Sequence, residues 1–219
     1  MTAPRRTRVR RNSLSRALVV EAAITLLDRD GPDKVTMRAV ASALGAQQMS
    51  IYNYVSGKAD LFAAVEEHLY STLRVPDPAT AGIEEFVGVY RELWRLLKAH
   101  PWLVHLHIAV VDVPDMRLRM AEATYAILFR LGLSAREAVI FSTAAGNLVL
   151  GCAALYAEAR HTDVEADRAA AIRRLAGGYP SLIHITEVQD IVLQDDVLDF
   201  GLAALVRELR ERTGAGGAA

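Results

Sequence analysis

The chain has 219 residues, with 25 Lys+Arg against 26 Asp+Glu, 52% hydrophobic residues and only 6% aromatic residues. An apolar mass built mostly from Ala, Leu and Val favours helices in a water-soluble globular protein and excludes disorder over most of the length. The single cysteine, Cys152, excludes an intramolecular disulfide and a cysteine-based zinc site, so a reducing, cytoplasmic setting is expected.

Residues 1–14 form a basic arm with Arg5, Arg6, Arg8, Arg10 and Arg11, and Arg16 follows before the first acid, Glu21. A basic stretch ahead of an apolar one is also the pattern of a secretory leader. Here Glu21 lies inside the apolar run, and Asp28, Arg29 and Asp30 stand where small residues would mark cleavage. Ser15 is suited to cap a first helix whose apolar positions are Ala17, Val20, Ile24 and Leu27, and Asp30-Gly31-Pro32 ends it. Thr36 can cap a second helix to about Leu44, Gly45 breaks it, and a third runs from Gln47 to about Val55. Ser56-Gly57 precedes a fourth, residues 58–73, and the Pro-rich stretch 75–82 is the clearest loop. Helical spacing resumes with Ile83, Phe86, Val87, Tyr90, Leu93, Trp94 and Leu97 and ends before His100-Pro101. Further helices are expected at about 102–110, 115–131, 134–160, 164–176 and 195–212, with an irregular stretch after Gly177 and a disordered tail at 214–219.

Residues 138–157 are twenty positions without a formal charge, long enough to span a bilayer. Ser142, Thr143, Gly146, Asn147 and Gly151 interrupt that run and no second span accompanies it. The reading adopted is a helix buried all round, within a bundle or across a dimer interface, with no membrane partner.

The near-zero net charge, taken whole, argues against a nucleic-acid partner. Divided at residue 60, it becomes +5 for the head and −6 for the remaining 159 residues, which points to an anionic partner for the head. The head also holds T-M-R-A-V-A-S-A-L-G-A-Q-Q-M-S-I-Y-N-Y-V at 36–55. A helix-turn-helix needs a small residue where two helices cross (Ala41), a turn-forming glycine (Gly45) and an apolar clamp (Val40, Leu44, Ala46 and Ile51). Gln47, Gln48, Ser50 and Asn53 then form an uncharged hydrogen-bonding face on the second helix, suited to base edges in the major groove.

Residues 15–69 resemble the DNA-binding domain of the tetracycline-repressor (TetR) family of transcriptional regulators. The resemblance is carried by Ala22-Ala23-Ile24 with Leu26-Leu27, Gly31, Val35-Thr36-Met37-Arg38, Val40-Ala41, Leu44-Gly45, Ile51-Tyr52-Asn53-Tyr54-Val55 and Lys58-Ala59-Asp60-Leu61. It implies that Gln48, Met49 and Ser50 meet bases, and that Arg38 contacts guanine or a phosphate. It also implies that Tyr52, Tyr54 and Lys58 contact phosphates and that Thr36 caps helix two and donates to a phosphate. Asn53 and Tyr54 depart from the Arg or Trp and the His common in the family, which leaves the operator sequence open; core packing is the other reading of Tyr54. For the arginine arm, minor-groove or backbone contact is the reading preferred over a solvated tail.

For the body the resemblance implies an all-helical regulatory domain that forms the homodimer through its last two long helices, here about 134–160 and 195–212. Small residues at 144–146, 151, 153 and 154 permit close helix approach, between subunits or within one chain. A pocket for a moderately hydrophobic molecule is expected among 83–160. Its candidates are Trp94, His105, His107, Tyr125, Phe129 and Asn147, with Trp102, Phe141 and Tyr156 in reserve. Asn147 stands out because an amide in an uncharged run needs a hydrogen-bond partner. His100, His105 and His107 do not share one helical face, so no metal and no other cofactor is expected.

The resulting expectation is an all-α regulator in four parts: arm 1–14, helix-turn-helix domain 15–60, helical regulatory and dimerisation domain 61–213, and tail 214–219. It is a homodimeric repressor that leaves a near-palindromic operator in double-stranded DNA when a small-molecule inducer binds the body. The rival readings are a helical-bundle enzyme or carrier, which lacks any nucleophile–base pair or phosphate loop, and a DNA-binding regulator that senses a protein partner.

Overall fold

The computed structural model describes residues 14–108, 113, 115–159, 170, 174, 178–179 and 194–214. Among these residues the chain is all helical, with nine α-helices and no strand. Two compact units emerge, one from residues up to Arg74 together with His105–Arg119, the other from Val75–Val104 together with residues from Met120 onward. The arm before Leu14, most of the expected helix at 164–176 and the tail beyond Gly214 lie outside the described residues.

In the first unit α1 spans Arg16–Asp30, with Ser15 Oγ accepting from the Leu18 N–H at 3.2 Å and the Gly31 N–H closing on the Leu27 carbonyl. Its buried stripe is Val19, Val20, Ala23, Leu26 and Leu27; Ala17, expected inside, is exposed, because the packed face is centred one residue later. Helix α2 spans Met37–Ala43 and is capped by Thr36, whose Oγ1 accepts from the Ala39 N–H at 3.1 Å.

The turn after α2 is closed by two backbone bonds, Ala46 N–H to Ala41 C=O at 2.9 Å and Gly45 N–H to Ser42 C=O at 3.2 Å. That pattern needs a left-handed residue between them, and Gly45 supplies it with φ 62°. Helix α3 is short, Gln48–Ile51, and the sequence-predicted extension to Val55 is a turn instead. Both the Tyr54 and Val55 N–H groups bond to the Ile51 carbonyl, so the last turn tightens toward i→i+3 geometry. Ile51 and Val55 are buried and hold this segment to its unit.

Helix α4 spans Lys58–Tyr70 and buries Leu61, Val65, Leu69 and Tyr70. It also buries an acid, Glu66, which pairs with Arg117 at 3.3 Å; the side chains are 9% and 19% exposed. The Arg117 guanidinium lies over the Tyr70 ring, 5.8 Å from its centroid, and the Met116 N–H donates to the Glu67 carboxylate at 3.4 Å. Burial pushes the Glu66 carboxyl above its ordinary range, and Arg117 opposes the shift.

The second unit is built on α5, Ile83–Ala99, whose strong amphipathic period buries Phe86, Val87, Tyr90, Leu93, Trp94 and Leu97. Its start is fixed by Glu85, which accepts from the Gly82 N–H at 2.7 Å. Short α6, Leu103–Ile108, and α7, Asp115–Arg130, follow. The longest helix is α8, Ala135–Ala159, opened by a reciprocal cap between Ser134 and Glu137. The last is α9, Gln194–Arg212.

Helix α8 packs against both α5 and α9. Its length and an 18-residue stretch of mean hydropathy 1.8 would suit a bilayer, yet Ala138, Phe141, Ala145, Val149, Cys152, Ala153 and Ala157 form a buried stripe, as in a bundle. The expectation of burial all round is corrected for the single chain, since Val139, Ile140, Thr143, Asn147 and Leu155 form an opposite, exposed stripe. Helices α8 and α9 approach closely at Gly201, where a Cβ would overlap a Leu148 methyl. Polar ties hold both ends of α9. Near its start, Asp195 accepts from Trp94 Nε1 at 2.6 Å and Lys98 Nζ at 2.8 Å; near its end, Arg210 reaches Glu84 and Arg212 reaches Glu137.

Two outcomes follow for stability. Gly45→Ala is expected to cost about 1 kcal/mol in urea denaturation, and Gly45→Asn less. The cost is conformational, because no atom lies within 4 Å of a Cβ built there. Glu66→Leu removes the carboxylate that faces a mostly buried guanidinium and is expected to cost about 2 kcal/mol, with much of the loss recovered when Arg117→Met is added. Arg117→Met alone costs less, since Glu66 can take up a proton.

Candidate nucleic-acid interface

The turn at Gly45 leaves the start of α3 pointing its side chains away from the unit's core. Gln47, Gln48, Met49 and Asn53 are exposed, Ser50 is half-buried, and Tyr52 is 40% exposed. None of these six carries a charge, so the face offers amide and hydroxyl groups plus one thioether. Thr36 and Arg38 at the start of α2 and Lys58 at the start of α4 are also exposed. The Thr36 oxygen is used as a cap acceptor, which leaves its O–H as a donor. Lys58 Nζ donates to the Pro32 carbonyl at 3.0 Å and lies 5.0 Å from the centroid of the Phe62 ring. An ammonium has three donors, so this bond does not exhaust it.

Tyr54 has a different place from the one expected. It is half-buried, and its hydroxyl donates to the Leu14 carbonyl at 2.8 Å. A phenol has one O–H, so its donor is committed inside the chain rather than offered to a phosphate. Arg16 reinforces the same junction by donating to the Tyr54 carbonyl and pairing with Asp60 at 2.9 Å. Asp60 in turn accepts from the Ser56 N–H at 2.7 Å; that bond, then Arg16, holds its carboxyl below the ordinary range. The point at which the arginine arm joins the unit is therefore pinned to Tyr54 and Asp60. This role was hidden in the sequence because Leu14 and Tyr54 are forty positions apart.

The body candidates divide. Trp94 is buried but its indole N–H is spent on Asp195, and its ring meets Tyr156 edge-on with centroids 5.8 Å apart. Tyr125 is half-buried and stacks with Phe129, which is 51% exposed, at 6.4 Å. Asn147 stands on the exposed stripe of α8, so water or a neighbouring molecule can satisfy its amide without a pocket. His105 is exposed, and the side chain of His107 lies outside the described residues. Trp102 and Phe141 are buried in the core.

Sequence reasoning missed Tyr90, which was read only as one apolar position of α5. It is buried, and its hydroxyl lies 2.7 Å from Ser142 Oγ and 3.1 Å from the Ser142 carbonyl. Burial pushes this phenol up to about 12. The usable signal was a hydroxyl on a buried stripe, which must find a partner. Tyr90 and Ser142 bring one polar point from α5 and α8 into an otherwise apolar interior.

Two family descriptions match this chain: bacterial regulatory proteins of the tetR family over residues 19–65, and the tetracyclin repressor-like C-terminal domain over residues 75–212. An HTH-type transcriptional regulator of Saccharopolyspora erythraea is 29% identical over 173 residues, 77% of this chain and 73% of that protein. The crystal structure of a possible TetR family transcriptional regulator from Streptomyces coelicolor A3(2) superposes with a TM-score of 0.76 at 25% identity, covering 90% of this chain and all of that one. The Streptomyces coelicolor TetR family protein ActR, solved in complex with actinorhodin, shares the fold with a TM-score of 0.72 at 22% identity, over 92% of this chain and 99% of that one. The left-handed turn at Gly45, the uncharged face of α3 and the two matched family models lead to one conclusion: the chain belongs to the TetR family of DNA-binding transcriptional regulators.

Proposed function

We propose that this regulator is a homodimeric, ligand-responsive repressor acting on a near-palindromic operator. The observation that carries the reading is the uncharged row of exposed Gln47, Gln48 and Asn53 with half-buried Ser50, in a unit whose entering arm holds five arginines. A solvated helix face would carry Glu and Lys; a row of amides and hydroxyls suits base edges. Gln48, Met49 and Ser50 address bases, joined by Gln47 and Asn53. Arg38 takes a guanine or a phosphate, and Thr36, Tyr52 and Lys58 take phosphates that set register. Tyr54 serves by anchoring the arm. The domain limits that go with this reading are the arm at 1–14, the DNA-binding domain at 15–60 and the regulatory domain at 61–213.

The second subunit is placed on the exposed apolar stripe of α8 and α9. Val139, Ile140 and Leu155 lie on the first, and Val197 and Phe200, the latter 76% exposed, on the second. Large exposed apolar side chains on two packed helices are suited to burial against a partner. Two subunits then present two α3 helices to two half-sites.

The inducer is proposed to be a moderately hydrophobic molecule held in the body, with the stacked Tyr125 and Phe129 rings among the groups that meet it. The ligand complex of the ActR neighbour supports a site of that kind in this fold. Binding shifts the dimer from a DNA-fitting to a non-fitting population, a coupling of about 1–3 kcal/mol. The Glu66–Arg117 pair fixes α4 to the first turn of α7, so α7 is the element that passes the shift to α4.

Fluorescence anisotropy on a duplex selected from a random pool by the full-length protein tests the reading. Arg38→Ala is expected to lower affinity at least tenfold. Deleting residues 1–12 is expected to flatten the dependence of log affinity on log salt by roughly 0.9 for each phosphate that the arm neutralises. An unchanged slope would remove the arm from the interface. Ile140→Asp with Phe200→Asp is expected to give a monomer in sedimentation, with operator affinity falling alongside.

A further inference from the structure

Met49 is 74% exposed in the first turn of α3. The apolar side chains exposed on α8 and α9 belong to the face proposed for a second subunit, whereas Met49 stands on the helix proposed to meet DNA. Around it Gln47, Gln48 and Asn53 are exposed and Ser50 half-exposed, and each can donate and accept hydrogen bonds. A thioether set among them is chemically uneven, because it has no donor and is only a weak acceptor.

The major-groove edges of adenine, guanine and cytosine present donors and acceptors, and thymine adds an apolar group, its C5 methyl. A thioether placed over the polar atoms would desolvate them without pairing them, at a cost to binding. Over a methyl it loses nothing and removes apolar surface from water; three rotatable bonds and a polarizable sulfur let it follow the methyl closely. We infer that Met49 is a specificity-determining residue that reads the C5 methyl of a pyrimidine, thymine in an unmodified operator, at one position in each half-site. The inference rests on the proposed DNA-binding function and assigns a chemical target to one side chain of that interface.

The test uses the full-length protein and a duplex selected from a random pool. Each thymine is replaced in turn by deoxyuridine, which keeps the Watson–Crick edge and deletes only the methyl. At one symmetric pair of positions the wild-type protein is expected to lose about fourfold in affinity for one substitution and about fifteenfold for both. Met49→Ala, at an exposed position that leaves the fold intact by circular dichroism, is expected to lose less than twofold on the same replacement. Met49→Leu keeps an apolar side chain and keeps the discrimination. At the same position, a C·G pair carrying 5-methylcytosine is expected to bind wild type about fourfold better than plain C·G, with no gain for Met49→Ala.

Equal affinity of wild type for thymine and deoxyuridine at every position overturns the inference. So does an undiminished penalty in Met49→Ala, which would give the methyl to another side chain such as Tyr52. Failure to select any duplex is a different result: it overturns the regulator reading itself.

Discussion

The hydrogen bond from the Ala46 N–H to the Ala41 carbonyl, made possible by the left-handed backbone at Gly45, fixes the angle at which α3 leaves α2. Ile51 and Val55 can then turn inward, and Gln47, Gln48, Met49 and Asn53 must turn outward. Helix α3 has little stability of its own, since four residues cannot sustain a helix by local bonds. Its geometry is borrowed from the turn before it and from the two buried anchors. The DNA-facing chemistry therefore depends on one glycine and two aliphatic side chains that touch no nucleic acid in the proposed complex.

A second layer of constraint secures the end of that segment. Asp60 receives the Ser56 N–H and the Arg16 guanidinium, while Tyr54 holds the Leu14 carbonyl. These groups bind the chain entering α1 to the chain leaving α3, so the basic arm starts from a fixed point. The exposed charge pair contributes little to stability by itself. In the proposed complex its value lies in direction, because an arm that starts in a defined place would reach phosphates at a smaller entropic cost.

The body follows a different logic. Helix α8 is apolar on two sides, and one chain covers only one of them. The covered side meets α5 and α9, with Tyr90 and Ser142 satisfying each other inside. The other side is open, with Val139, Ile140 and Leu155 flanking Thr143 and Asn147, and the proposed dimer supplies its cover. An uncharged run of twenty residues is thus read without a bilayer, by dividing it into two stripes with different partners.

Much was already written in the residue order. Caps at Ser15 and Thr36, the break at Gly45 and the limits of the long helices follow from local rules that need no neighbour in space. The helix-turn-helix and its uncharged face were legible for the same reason, since their spacing is local. What tertiary structure decided was the fate of side chains whose partners lie far along the chain: Tyr54 with Leu14, Trp94 with Asp195, Glu66 with Arg117, Tyr90 with Ser142. Periodicity says that such a group sits on a face, and only packing says what that face meets. Asn147 shows the limit most clearly, because an amide in an apolar run reads as buried until the structure shows that its side of α8 is open.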